Sequence, residues 1–217
     1  MPNLRAWLLS GVSLFLGGCM LNAVAGSGKI VTEPRTVSGF SAVSLSGSGH
    51  LTIEQNGTEA LTVTTDDNLL PYIKTEVRGN TLELGMKDPM TNVNPTNDVI
   101  FKLSVKKLAE LNVSGSGKAD VKGLTQDRLQ VRISGSGDVT AAGAADDLDL
   151  RISGSGGYRG DTLKSKQATV GVSGSGSALV SASDTVDANV SGSGSVEYLG
   201  DPRVSQHVSG SGSVRRR

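Results

Sequence analysis

The tetrapeptide Ser-Gly-Ser-Gly occurs seven times in this chain, beginning at Ser46, Ser114, Ser134, Ser153, Ser173, Ser191 and Ser209. From Ser114 onward the steps are 20, 19, 20, 18 and 18 residues. A fixed period of this size restricts the fold severely. Each repeat is too short to bury its own apolar face, so equivalent segments must stack on one another, coil upon coil.

Aligning the copies on their first serine shows what each coil is made of. The preceding residue is always aliphatic: Leu45, Val113, Ile133, Ile152, Val172, Val190 and Val208. Two positions earlier stand Val43, Leu111, Val131, Leu150, Val170, Ala188 and Gln206, with Ser44, Asn112, Arg132, Arg151, Gly171, Asn189 and His207 between. This period-2 alternation defines a strand with one face inward. Carried through the motif, the same parity puts both glycines inward and the serines outward. The inward register resumes at Ala119, Val139, Tyr158, Ala178, Val196 and Val214.

The glycines are therefore read as structural corners, where an inward side chain would not fit. They are Gly47 and Gly49, Gly115 and Gly117, Gly135 and Gly137, Gly154 and Gly156, Gly174 and Gly176, Gly192 and Gly194, and Gly210 and Gly212. The serines are expected to form an outer hydroxyl ladder. The fold class that follows is all-β: a single-chain, right-handed parallel β-helix, or β-solenoid, with coils of about 19 residues, each holding two or three short strands. Its core must be thin and aliphatic, because aromatic residues are 3% of the chain.

The regular coils occupy 111–217. The first half alternates less evenly, with strands expected over His50–Glu54, Ala60–Thr65, Tyr72–Val77, Thr81–Met86 and Ile100–Val105, and a helical turn within Asp66–Tyr72. Lys87–Asp98, with two prolines and three asparagines, reads as an exposed loop. This half forms either wider coils of the same solenoid or a strand-rich cap on its end. At the other end Ser213, Val214 and Arg215–Arg217 follow the last motif. A short final coil is expected there, its edge blunted by the arginines or covered by a partner.

Residues 1–18 read as an export signal. Arg5 precedes an apolar stretch, Ala6–Leu16, that is too short to cross a bilayer of about 30 Å. Leu16-Gly17-Gly18-Cys19 then has the form of a bacterial lipobox, and Cys19 is the one cysteine in the chain. We expect lipidation at Cys19, a tether over 19–28 and a solenoid domain over 29–217. Cleavage after Ala23-Val24-Ala25 is the alternative. Met20 rather than Asp after the cysteine favours the outer membrane, by similarity to Gram-negative lipoproteins. The anchor makes a membrane one partner.

Composition narrows function mostly by exclusion. Lys plus Arg and Asp plus Glu balance at 21 each, so no basic face is expected for nucleic acid. Acids do not recur at equivalent positions: three residues after the second glycine come Asp120, Thr140, Arg159, Leu179, Glu197 and Arg215. Asp66-Asp67 and Asp146-Asp147 are adjacent pairs, which in a strand point to opposite faces. A lyase or hydrolase needs converging acids, often with calcium or a base, so catalytic residues are expected to be absent. His50 and His207 are the two histidines, too few for a zinc site, and no cofactor is expected. What remains is a flat polar face, with Arg132, Arg151 and the motif serines foremost. Such a face suits a glycan, a protein or another copy of the chain.

Val37-Ser38-Gly39-Phe40 through Leu45-Ser46-Gly47-Ser48-Gly49, then Leu51-Thr52-Ile53, resembles the opening of the bacterial head GIN domain family of autotransporter-adhesin-like proteins. Asp67-Asn68-Leu69-Leu70-Pro71, Ile73 and Glu76-Val77 fit the next part of that pattern, and the repeats complete it over residues 26–217. The resemblance implies a single-chain β-helix shaped like the pectin lyases without their catalytic residues, and an adhesive role. The expected protein is a non-enzymatic envelope lipoprotein presenting a rigid adhesion or ligand-binding surface. A periplasmic assembly protein acting through its sheet edges comes second, and a polysaccharide lyase-like enzyme third.

Overall fold

The computed structural model describes residues 23–88 and 90–217, so the signal segment and Cys19 lie outside the described residues. The chain runs through β1 (Val24–Ala25), β2 (Ile30–Arg35), β3 (Ala42–Gly47), β4 (His50–Gln55) and β5 (Ala60–Asp66). A 3-10 turn at Leu70–Tyr72 leads to β6 (Ile73–Arg78), β7 (Thr81–Met86), β8 (Val93–Asn94), β9 (Ile100–Val105) and β10 (Glu110–Gly115). Each of the next four strands wraps most of a coil: β11 (Lys118–Gly135), β12 (Asp138–Gly154), β13 (Gly157–Gly174) and β14 (Ser177–Gly192). The last coils are β15 (Ser195–Leu199), β16 (Arg203–Gly210) and β17 (Ser213–Arg216). Among the described residues no helix is long and apolar enough to cross a membrane.

The repeat half is a parallel β-solenoid. Motif pairs with motif in register: Ser114 lies beside Ser134, Ser134 beside Ser153, Ser153 beside Ser173 and Ser173 beside Ser191. The coil has three faces, and the burial pattern marks the corners. In β11 inward and outward residues alternate except at Lys122-Gly123 and Asp127-Arg128, where both neighbours are exposed. These doublets and the Ser-Gly-Ser-Gly turn divide the coil into a first face beginning at Lys118, a second at Leu124 and a third running from Leu129 into the next motif. Asp146-Asp147 falls at the corresponding corner of β12. Both residues are exposed, rather than split between faces, because alternation lapses where the chain bends.

Inside, the aliphatic residues stack in columns. Leu111, Val131, Leu150, Val170 and Ala188 are all at most 1% exposed, as are Val113, Ile133, Ile152 and Val190. Burying one such side chain contributes about 1.5–3 kcal/mol, so the columns hold the coils together without large aromatic residues. Phe40 and Phe101 are buried in the cap half.

That first half does not continue the coil sequence in order. The coil formed by β3 and β4 stacks directly on β10 and the start of β11, all in parallel. The intervening chain lies on the opposite side. There β7 pairs parallel with β3 and β9 parallel with β4, and direction then reverses. β6 runs antiparallel to β7, β5 antiparallel to β9, and β2 antiparallel to β5. Of the two arrangements expected, the cap describes this half better than wider coils. All five strands expected from alternation are present within about a residue of their bounds, and the expected turn is the one at Leu70–Tyr72.

Two expectations differ from the structure here. The loop over 87–98 contains β8, which pairs parallel with β1. The end of the segment expected as a tether over 19–28 is thereby paired to the domain from Val24 onward. Alternation could not reveal this pair, because two residues are too short to show a period.

Candidate functional site

The corner motif builds the rim of the candidate site. In every copy the first glycine, from Gly47 to Gly210, has φ between +88° and +123°. At Gly135, with φ +111°, an added Cβ would sit 2.6 Å from the carbonyl oxygen of Gly115 one coil below. Parity had placed this glycine inward, but it is exposed at the corner, and the Cβ it lacks would point along the solenoid axis. The second glycine does face inward. At Gly137 a Cβ would meet Gly117 O at 2.7 Å and Val113 Cγ1 at 2.8 Å. Gly117, Gly156, Gly176, Gly194 and Gly212 meet the aliphatic column in the same way, while Gly49 lies against Val99 O at 3.0 Å.

The serines face outward, but their hydroxyls do not form a continuous ladder. Among the described residues, one bond joins successive motif hydroxyls, Ser114 Oγ to Ser46 Oγ at 3.3 Å. The corner is held by backbone instead: Ser136 N–H donates to Gly115 O at 2.8 Å and Ser155 N–H to Gly135 O at 2.8 Å. Side-chain hydroxyls are thus left facing water.

Beside this row, on the outside of the third face, lies a groove of about 420 Å³. Its walls are Arg132, Arg151 and Asn189 on one side and Ser134, Ser153 and Ser173 on the other. These residues come together through register. Arg132 lies beside Arg151, Arg151 beside Gly171, and Gly171 beside Asn189. The outward row loses its side chain at Gly171, and that gap deepens the groove, which Ile133, Ile152 and Val172 also line.

Two arginines one strand apart, about 4.8 Å, repel each other unless they are compensated. Glu110 accepts from Arg132 Nη1. Asp149 lies 3.4 Å from Arg151 Nε and 3.8 Å from Arg128 Nη2, and accepts from Gln130 Nε2 at 3.3 Å. Asp149 is largely covered, whereas the Arg151 side chain is 65% exposed. Glu110 holds Arg132 by a hydrogen bond, whereas Asp149 offsets the charge of Arg151 without hydrogen-bonding it, so guanidinium donors remain free for a ligand. Glu110 and Asp149 were not singled out in the sequence. Asp149 sits two residues before Arg151 on the same strand, whereas Glu110 sits two before Asn112 and reaches Arg132 from the neighbouring strand, a pairing that only the register reveals.

Elsewhere, His50 Nε2 lies 2.6 Å from Asp120 Oδ2 on the first face, which gives the histidine a partner where none was expected. Among the described residues no cluster of three or more His, Cys, Asp or Glu could hold a metal. Tyr158 is core, as its parity suggested, with its hydroxyl unpartnered, and burial pushes that hydroxyl well above the usual phenol range. Gly160 makes room for its ring, since a Cβ there would lie 2.7 Å from Tyr158 Cε1.

This architecture has close parallels. Residues 39–202 match the family described as "putative auto-transporter adhesin, head GIN domain". The chain belongs to this family. Solved structures agree with the fold. A protein described as a putative lipid binding protein, from Parabacteroides distasonis, is 26% identical, with TM-score 0.62 over 90% of this chain and 99% of its own. A putative adhesin from the same species is 25% identical, with TM-score 0.62 over 90% and 100%. A putative adhesin from Bacteroides fragilis is 23% identical, with TM-score 0.73 over 90% and 100%, and supports the fold alone. Among curated proteins none matches. The family is adhesin-like, in keeping with a protein of the cell envelope or surface.

Proposed function

We propose that this is a non-enzymatic envelope adhesin that holds an anionic glycan in the groove of the third face, and that it is anchored through a lipid on Cys19. The observation that carries the ligand reading is the gap at Gly171, flanked by Arg132, Arg151 and three exposed serines. Guanidinium forks suit carboxylate or sulfate groups, and the serines suit sugar hydroxyls. Stacked coils repeat such groups about every 4.8 Å, so an extended polymer gains many weak contacts together. The lipid-binding name of one relative is compatible with the same chemistry, because the phosphate of a phospholipid headgroup is an anionic group that a guanidinium can hold.

A glycan array on residues 26–217, with uronate and sulfated polymers, tests this reading. Binding that weakens with salt and disappears in Arg132→Ala/Arg151→Ala supports it. Binding unchanged in that variant sinks it. The anchor is tested separately, by palmitate labelling that is lost in Cys19→Ala. Assembly through sheet edges is the second reading. It draws on Val204 and Val208 of β16, each 38% exposed, and predicts oligomers that grow with concentration.

A further inference from the structure

We infer that the capped end of the solenoid lies on the lipid bilayer, with the repeat coils standing away from it along the stacking axis. The inference rests on the reading of Cys19 as the acylated residue.

The first support is how tightly the chain is held just after that cysteine. Gly26 N–H donates to Asn94 O at 2.8 Å, beside the β1–β8 pair. The fully buried Asp66 carboxylate accepts from Gly28 N–H at 2.7 Å, Thr96 N–H at 2.9 Å and the Thr96 hydroxyl at 2.8 Å. Asn68 receives Ser27 N–H at 2.9 Å and donates to Ala25 O at 2.8 Å. From Val24 onward, therefore, no slack remains to act as a tether. Between Cys19 and Val24 stand four residues. Fully extended, that stretch reaches about 17 Å.

The second support is which end that reach can serve. β2, next in the chain, is the outermost strand of the first face, which runs through β5, β9, β4 and β11–β14 to β15 and β17. Ten strands about 4.8 Å apart span about 43 Å. A 17 Å link from the bilayer therefore places the cap at the headgroups and leaves the far coils in water.

The third support is the surface of the cap. Among the described residues the exposed large hydrophobic side chains are Ile30, Tyr72, Met90, Val204 and Val208. The first three belong to the cap, and Met90 is 87% exposed. Lys87 N–H donates to Tyr72 O at 2.9 Å, which ties the Met90 loop to the Tyr72 turn. Tyrosine and long apolar side chains suit the headgroup–acyl boundary. Asp67 is neutralised by Lys29 at 3.2 Å, and Asp88 folds back onto Met90 N–H and the Thr91 hydroxyl.

The test uses the full-length, processed protein in vesicles of phosphatidylethanolamine and phosphatidylglycerol. Met90→Cys and Ser211→Cys each add one thiol to a chain whose own cysteine is blocked by lipid, and each is labelled with a fluorophore. Headgroup-spin-labelled lipid is expected to extinguish emission at position 90 and leave position 211 unchanged. Equal quenching, or quenching at 211 alone, overturns the orientation, provided the protein floats with vesicles and carries acyl mass on Cys19. Protein that neither floats nor carries that mass overturns the anchor reading instead. Circular dichroism matching the parent confirms that each variant is folded.

Discussion

Consider replacing Gly135 by alanine, and Gly171 by alanine as its counterpart. Both glycines lie on the third face or its corner, two coils apart, and both changes add one methyl group. At Gly135 the backbone has φ +111°, and the new Cβ would sit 2.6 Å from Gly115 O and 3.2 Å from Gly115 N. Those atoms belong to the main chain of the coil below, and that oxygen already accepts from Ser136 N–H, so they cannot swing aside. Left-handed backbone strain costs about 1–3 kcal/mol and an unrelieved collision about as much again, roughly 4 kcal/mol together. For a domain of this size that lowers Tm by about 8–16 °C. At Gly171 the nearest atom to a Cβ is Leu150 O at 4.0 Å, and the residue is not among the glycines with positive φ. There alanine should stabilise by about 0.5–1 kcal/mol, because glycine in a strand forfeits more chain entropy. Thermal melts by circular dichroism measure both. Hydrogen exchange should show the Gly135→Ala damage concentrated in the coils that meet at that corner, since each coil touches only its neighbours. A Gly135→Ala protein within 0.5 kcal/mol of the parent would refute the reading of the motif as a main-chain corner.

Gly171→Gln should fill the groove and abolish glycan binding while leaving Tm nearly unchanged. Retained binding would move the site elsewhere. Tyr158→Phe should raise stability by about 1 kcal/mol in a urea titration, because it removes a buried hydroxyl that has no partner. Burial raises the pKa of Asp66, but hydrogen bonds from Thr96 and Gly28 outweigh it and hold the value below 3.8. Its native form thus binds fewer protons than its unfolded form just below that pH, so its stabilising effect is present above about pH 4 and lost as pH falls through the native value. Amide exchange across 24–31 should accelerate there in the parent, and Asp66→Asn should lose the pH dependence.

Much of this fold could be read from the chain because a repeat of about 19 residues leaves few alternatives. The inward columns and outward rows follow from the alignment on Ser-Gly-Ser-Gly. The corner glycines needed more than parity. A strand rule assigns Gly135 to the inside, but at a bend the direction that matters is along the axis, toward Gly115. The cap was legible strand by strand but not in its pairing, because β3 and β4 join β10 and β11 across more than fifty intervening residues. His50 and Asp120 meet for the same reason. The groove was present in the sequence as the outward row Arg132, Arg151, Gly171 and Asn189. Recognising it required seeing that a missing side chain in a regular lattice is itself a feature.

That point bears on where specificity resides in a solenoid. A perfect repeat presents the same group on every coil, which gives avidity but little discrimination. Inward departures from the repeat have packing reasons, as Gly160 does in sheltering the Tyr158 ring. Gly171 has none. It is outward, half-buried and not in the left-handed region, and a Cβ there would meet nothing closer than 4.0 Å. A glycine that neither turn nor packing requires, placed between an exposed arginine and an asparagine, opens space only toward solvent. Counting layers from β7, the coils of β11–β14 that line this space stand about 14–29 Å along the axis. With the cap on the bilayer, a ligand could reach the groove without crossing the headgroups, so anchor and groove would work at opposite parts of the same rigid rod.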